Sequence, residues 1–291
     1  MTDFFAPLVA SPALFALVAT VLGLVVGSFL NVVIYRLPIM MEREWRTQCA
    51  EILEQKPLAE ETSVFNLWTP RSQCPTCQHP IGITENIPIL SFLFQRGRCT
   101  HCKSPISVQY PAVEIVSGVL AGTVAWHYGF GWQAIAGMLL TWSLIALSVI
   151  DLKHQLLPDA ITIPFLWLGI GLGLFGIFAD LRSSVIGAIV GYLSLWCVYH
   201  VFRLLSGKEG MGFGDFKLLA LLGAWQGWQY LISIVIASSL VGSVIGIVLI
   251  LVRGRDRNVP IPFGPFLAMA GWITLLWGNA LNRVYLDWMG L

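Results

Sequence analysis

Four cysteines fall into two pairs, Cys74-Pro75-Thr76-Cys77 and Cys99-Thr100-His101-Cys102, with 21 residues between them. A CxxC pair can present two sulfurs to one ion from a tight turn, and four thiolates close the tetrahedral shell of a structural zinc site. The alternative is four unrelated thiols, buried or redox-active. The surrounding stretch has few apolar residues, so a metal would help it fold. The spacing therefore predicts structural Zn2+ on Cys74, Cys77, Cys99 and Cys102. His79 and His101 lie nearby and read as surface residues. Cys49 and Cys197 have no partner pattern, and Cys197 reads as a small apolar group in a membrane helix.

Two aspartates stand where charge is costly. Asp151 ends the apolar run Leu144 to Ile150, and Asp215 follows Gly212-Phe213-Gly214. A carboxylate near hydrocarbon has to pair, face water or work. Two such acids at one membrane depth can share a proton if their helices meet. One then acts as general base on water and the other donates to a scissile carbonyl. Acids at helix ends are also common, and Asp215 could simply cap a helix. The residues alone leave both readings open. Gly212 and Gly214 would let a backbone or substrate strand come close. Glu114 and Asp159 sit at predicted helix starts, as first-turn charges or caps. Lys153 and His154 read as solvated.

The elements that hold these groups must be membrane helices. Of 291 residues, 56% are hydrophobic and 11% charged, against about 25% charged in a soluble domain. The fold class expected is an all-α polytopic membrane protein, about eight transmembrane helices with a cytoplasmic zinc-binding loop domain. The first is predicted over Leu14 to Tyr35; with Asp3 as its only early charge, it reads as retained rather than as a cleaved signal. The uncharged run Ile115 to Ile150 is too long for one crossing and breaks at His127 to Trp132. Further helices fit Ala160 to Ala179 and Ser184 to Phe202. The run Leu218 to Val252 divides at Trp225 to Gln229, and a last helix fits Phe266 to Leu281. Met41 to Glu61 reads as a short surface helix. The domains expected are 1–35, the first transmembrane helix; 36–109, the cytoplasmic loop with the cysteine module; and 110–291, a seven-helix catalytic part.

Charge placement orients this arrangement. Segments 36–109, 151–159, 203–217 and 253–262 carry 15 of the 17 Lys and Arg, and the opposite face holds Arg182 and Arg283. The positive-inside rule puts these four segments in the cytoplasm, with both termini outside. The net charge is +1 and no basic domain is present, which argues against nucleic acid as a partner.

Several stretches together resemble the type IV prepilin peptidases, a family of GxGD aspartic proteases. Gly27-Ser28-Phe29-Leu30-Asn31 through Arg36-Leu37-Pro38 is similar to their first-helix signature. Gly212-Phe213-Gly214-Asp215-Phe216-Lys217 is similar to their GxGD motif, and Asp151 with Leu157-Pro158-Asp159 to the other catalytic region. Glu85-Asn86-Ile87-Pro88, Tyr110-Pro111-Ala112-Val113-Glu114 and Pro262-Phe263-Gly264-Pro265 also match. The cysteine pairs fit the longer, bifunctional branch. The resemblance implies Asp151 and Asp215 as catalytic residues and a multi-pass enzyme of the bacterial inner membrane. It implies that the basic leader of type IV prepilins and type II secretion pseudopilins is cut at the cytoplasmic face. It also implies methylation of the new N-terminal amine from S-adenosylmethionine. No glycine-rich fingerprint for that donor stands in the sequence, and no residues are assigned to it. A transporter would call for paired inverted repeats with broken helices, and none is evident. A zinc-bearing scaffold would leave both aspartates idle.

Overall fold

The computed structural model describes residues 2–53, 64–208, 210–253 and 261–289, which form two compact units, Met1–Ala134 and Ile135–Leu291. Among the described residues there is no β-strand, only two isolated bridges.

The first unit contains α1 (Thr2–Ala10), α2 (Pro12–Ile52), α3 (Leu90–Phe94) and α4 (Gln109–Tyr128). Ser11 caps α2 by accepting from the Leu14 amide at 3.3 Å, and Pro12 supplies a first-turn residue that needs no donor. Gly23 and Gly27 bring α2 against α4. A Cβ on Gly23 would lie 2.7 Å from the Ser117 carbonyl oxygen, and one on Gly27 would lie 2.7 Å from the Glu114 Cα. The Ser117 hydroxyl donates to the Gly23 carbonyl at 2.6 Å. Small residues at such spacing are the usual means of close helix packing in lipid.

α2 differs from expectation. It runs unbroken from Pro12 to Ile52, through Pro38, so the separate surface helix expected from Met41 is the C-terminal extension of the first helix. Proline removes one backbone donor. The residues that follow are good helix formers, reinforced by the Glu42–Arg46 pair at 2.6 Å. The end of that expected helix, to Glu61, lies outside the described residues, as do Lys56, Arg255, Arg257 and Pro260.

The second unit contains α5 (Trp132–His154), α6 (Asp159–Gly173), α7 (Leu181–Ser206), α8 (Phe213–Gln226), α9 (Leu231–Arg253) and α10 (Gly264–Met289). At its centre is α8. From Asp215 to Gln226 every residue but Lys217 is buried. A helix apolar on all sides belongs inside a bundle, and α5, α7, α9 and α10 contribute the leucines, alanines and aromatics around it. Backbone meets backbone where Gly187 and Gly191 of α7 face Gly223 and Leu219 of α8. Two donors anchor α8 at its C-terminal end: the Trp225 indole to the Phe165 carbonyl at 2.7 Å, and the Gln226 amide to the Gly271 carbonyl at 2.9 Å.

A helix thus stands at each of the eight expected places, α2 and α4 to α10. Four spans among the described residues are long and apolar enough to cross a membrane: Pro12–Ile52, Trp132–His154, Leu181–Ser206 and Trp228–Leu249. These make the protein multi-pass. α6 is shorter than expected. Its helix ends at Gly173, and Gly176, with φ of +60°, turns the chain before Ala179.

Candidate active site and metal centre

Asp151 lies in the last turn of α5 and is 5% exposed. Its Oδ2 accepts the Gly264 amide at 3.0 Å. Gly264 opens α10, so the carboxylate sits on a helix N-terminus, where free amides and the helix dipole favour an anion. Only glycine suits this position: a Cβ there would lie 2.6 Å from Oδ2.

Asp215 is the third residue of α8 and is 7% exposed. Gly212 takes the N-cap position, so Asp215 is not the cap; it stands in the first turn, where a carboxylate is favoured. Leu157, between α5 and α6, joins the two acids' surroundings. A Cβ on Gly214 would lie 2.8 Å from the Leu157 Cβ, and one on Gly264 would lie 3.3 Å from its Cδ1. Leu157 therefore lies against both the turn that carries Asp215 and the helix start that holds Asp151. The structure thus brings together both predicted acids, both glycines of the Gly-x-Gly-Asp turn and the start of α10. Asp159 opens α6 and pairs with Lys217, whose Nζ is 2.7 Å from each carboxylate oxygen. This pair ties the first turns of α6 and α8.

The cysteine module consists of two near copies of one turn. In the first, the Gln78 amide donates to the Cys74 carbonyl and the Cys74 amide to the His79 carbonyl, both at 2.9 Å. In the second, the Lys103 amide donates to the Cys99 carbonyl at 3.1 Å and the Cys99 amide to the Ser104 carbonyl at 2.9 Å. Gln78 and Lys103 both take positive φ, 57° and 60°, and one antiparallel bridge closes each turn. The four sulfurs lie within 4.8 Å of one another. Cys74 and Cys102 are 3.8 Å apart, and Cys77 and Cys99 4.0 Å. A tetrahedral shell with bonds of about 2.3 Å has edges of about 3.8 Å, so the cluster could hold a metal ion.

The thiols are already tuned unequally. Amides of Cys77 and Thr76 pull Cys74 down to about 6, and Ser104 lowers Cys102. The His79 contact pulls Cys77 down, but burial and its sulfur neighbours outweigh it and push that thiol up to about 11. His79 and His101 stack at 5.2 Å outside the sulfur shell. Glu85 braces the second turn by accepting the Thr100 hydroxyl at 2.6 Å, and it closes its own turn on the Gly82 amide at 2.9 Å.

Two contributors were not singled out from the sequence. Gly264 was one residue of a matching motif, and its role needs the folded contact with Asp151. Arg36 was counted only as an orienting charge. It is buried, donating to the Asn66 carbonyl at 2.8 Å and the Pro70 carbonyl at 2.6 Å, and so anchors the chain leading into the cysteine module.

Comparison with known proteins identifies the family. Residues 21–128 match the Bacterial Peptidase A24 N-terminal domain, and residues 138–247 match the Type IV leader peptidase family. A protein of Stutzerimonas stutzeri called prepilin leader peptidase/N-methyltransferase is 54% identical over 98% of this chain and 98% of its own. The chain belongs to the type IV leader peptidase family. Members of the same name from Pseudomonas aeruginosa and Neisseria gonorrhoeae are 52% and 47% identical, covering 97% and 93% of both chains respectively. No solved structure matches.

Proposed function

We propose that this family member removes the leader from type IV prepilins with Asp151 and Asp215, then methylates the exposed N-terminal residue. The observation that carries the cleavage site is the convergence of Asp151, Asp215, Leu157 and Gly264 at one end of α5, α8 and α10. Two carboxylates working on one substrate can share a proton rather than carry two charges. The ionised member takes a proton from water while the neutral one donates to the peptide carbonyl. Water oxygen bonds to the carbonyl carbon, and collapse of that adduct breaks the C–N bond as a proton passes to the leaving nitrogen. The Gly264 amide occupies one oxygen of Asp151 and leaves the other for water or substrate.

The expected substrates are type IV prepilins and type II secretion pseudopilins, with S-adenosylmethionine as methyl donor. Zn2+ on Cys74, Cys77, Cys99 and Cys102 would be structural, since four sulfurs leave no open position. Zinc would draw the unequal thiols into four equivalent thiolates. We read α2 and α4 to α10 as eight crossings of the bacterial inner membrane. The Lys and Arg distribution supports a cytoplasmic cysteine module, a cytoplasmic active site and external termini. In this arrangement, residues 1–35 provide the first crossing, 36–109 the loop domain and 110–291 the remaining seven helices.

The test is leader cleavage by purified, folded Asp151→Asn and Asp215→Asn enzymes. Each should lose at least about a hundredfold in rate, because an amide can serve neither as base nor as proton-sharing partner. Substantial cleavage by either variant ends the dyad assignment.

A further inference from the structure

Outside the aspartate site, a further carboxylate has no ion-pair partner among the described residues. Glu114, in α4, is 8% exposed. Among the described residues no lysine, arginine or histidine forms an ion pair with it. Its hydrogen-bond partner is neutral, the Ile89 amide at 2.8 Å. One helical turn away along the α2–α4 contact, Asn31 is 5% exposed. Its amide nitrogen donates to the Gly27 and Tyr110 carbonyls, at 3.2 and 3.0 Å. That pins its Oδ1 away from both carbonyls, and this buried oxygen has no hydrogen-bond partner. An unpaired buried acceptor costs about 1–3 kcal/mol, and a buried charge without a counterion costs more. Asn31 Oδ1 is open to a donor and Glu114 to a cation, and one ammonium group is both.

The contact that covers Glu114 is strained. Ile89 has φ of +60° and ψ of −49°, and the Leu90 amide donates to the Pro88 carbonyl at 2.6 Å across it, a three-residue turn. Positive φ is a genuine outlier for a β-branched residue, and such strain persists where surrounding structure over-determines it. The Ile89–Glu114 hydrogen bond is one restraint here, beside the Ser91 amide on the Ile87 carbonyl and the Leu93 amide on the Ile89 carbonyl. A stronger donor for the carboxylate would remove the first of these restraints.

We propose that Glu114 and Asn31 form an ammonium site that takes the N-terminal amine of the cleaved pilin and presents it for methylation. This assignment rests on the methylation reading above. The ammonium displaces the Ile89 amide from Glu114 and donates to Asn31 Oδ1. Its proton passes to Glu114. The freed nitrogen pair bonds to the methyl carbon of the sulfonium donor, and the carbon–sulfur pair stays on sulfur, leaving a neutral thioether. The amine exists only after cleavage, so the site recognises the product of the first reaction and sets the order of the two.

The experiment measures binding of a synthetic peptide with the mature pilin N-terminus to the purified full-length enzyme, against the same peptide N-acetylated. The wild type should prefer the free amine by about tenfold, the value of one charge-assisted contact. Glu114→Gln should lose that preference and transfer methyl groups to the peptide at least about tenfold more slowly, and Glu114→Asp should recover part of both. Circular dichroism and melting temperature control for folding. Should Glu114→Gln unfold, the wild type alone decides: equal affinity for free and acetylated peptides overturns the site. A wild type that methylates, beside a Glu114→Gln enzyme that discriminates and methylates equally well, overturns the site while leaving the methylation reading intact. A wild type that transfers no methyl group overturns that reading and, with it, the role assigned here.

Discussion

The cysteine module and the membrane acids solve one problem, gathering polar groups at a point, by opposite means. In the module each half is local. Two sulfurs three residues apart come from a turn that its own backbone closes, and the turn is repeated once. In the membrane unit nothing is local. Asp151 and Asp215 are 64 positions apart, and Gly264 arrives from a third helix. The module depends on spacing and, as proposed, on a metal. The acids depend on whether three helices can come close enough, which is decided by where a Cβ is missing.

Asn replacement of either aspartate tests the non-local site most severely, with the loss of at least about a hundredfold in cleavage given above. Gly264→Ala sharpens the geometric claim without touching a carboxylate. The new methyl would push Asp151 from the α10 terminus, and cleavage should fall about ten- to a hundredfold in a folded protein. Gly212→Ala is its control, because a Cβ there would meet only an Asp215 oxygen, at 3.9 Å. Equal losses in the two alanine variants would break the comparison.

The local site should respond differently. Metal analysis of the purified wild type should find about one zinc per chain, and a Cys74→Ser, Cys77→Ser double variant should find none. The variant's module should become sensitive to protease. Equal zinc in both proteins would remove the metal from the account.

A smaller effect concerns acid. The Thr100 hydroxyl and the Gly82 amide hold the Glu85 carboxyl below its ordinary 4.5. Because the folded value is depressed, this stabilisation is complete above pH 4.5 and is lost as pH falls through the lower folded value. Hydrogen exchange at the Gly82 amide should quicken over that acid range in the wild type. In Glu85→Gln that part of the pH dependence should be absent. The smallest effect belongs to the Lys217–Asp159 pair. Asp159 is largely exposed, so Asp159→Asn should change stability by less than about 1 kcal/mol and cleavage by far less than Asp151→Asn. Loss of cleavage equal to that of Asp151→Asn would move Asp159 into the reaction itself.

Legibility from sequence followed the same division. The four cysteines could be assigned from spacing because two tight turns contain nearly all of the geometry. Most helices could be placed because uncharged runs between charged loops have few other solutions in lipid. The turn at Gly129, with φ of +68°, stands where aromatics and glycines interrupt a long apolar run. Helix ends were harder. The first helix was expected to end at Tyr35, but it continues through Pro38, since one missing donor does not stop a helix that Glu42 and Arg46 continue. α6 stopped early because Gly176 could turn the chain. The Asp151–Gly264 contact and the burial of Arg36 were not readable, since each depends on a partner with no fixed sequence separation.

The enclosed position of α8 bears on how the protein is made. At about 1.5 Å per residue, its 14 residues extend about 21 Å, short of a hydrocarbon layer of about 30 Å. The segment also carries an aspartate and a lysine at its third and fifth positions, residues that membrane insertion disfavours. Emerging alone, it would be a weak stop for the insertion machinery. Gly227, at φ of +88°, folds the chain directly into the 3₁₀ turn and apolar α9 that follow. The two therefore enter best as a hairpin, the stronger segment carrying the weaker, and Asp215 reaches its place after its neighbours have built a home for it.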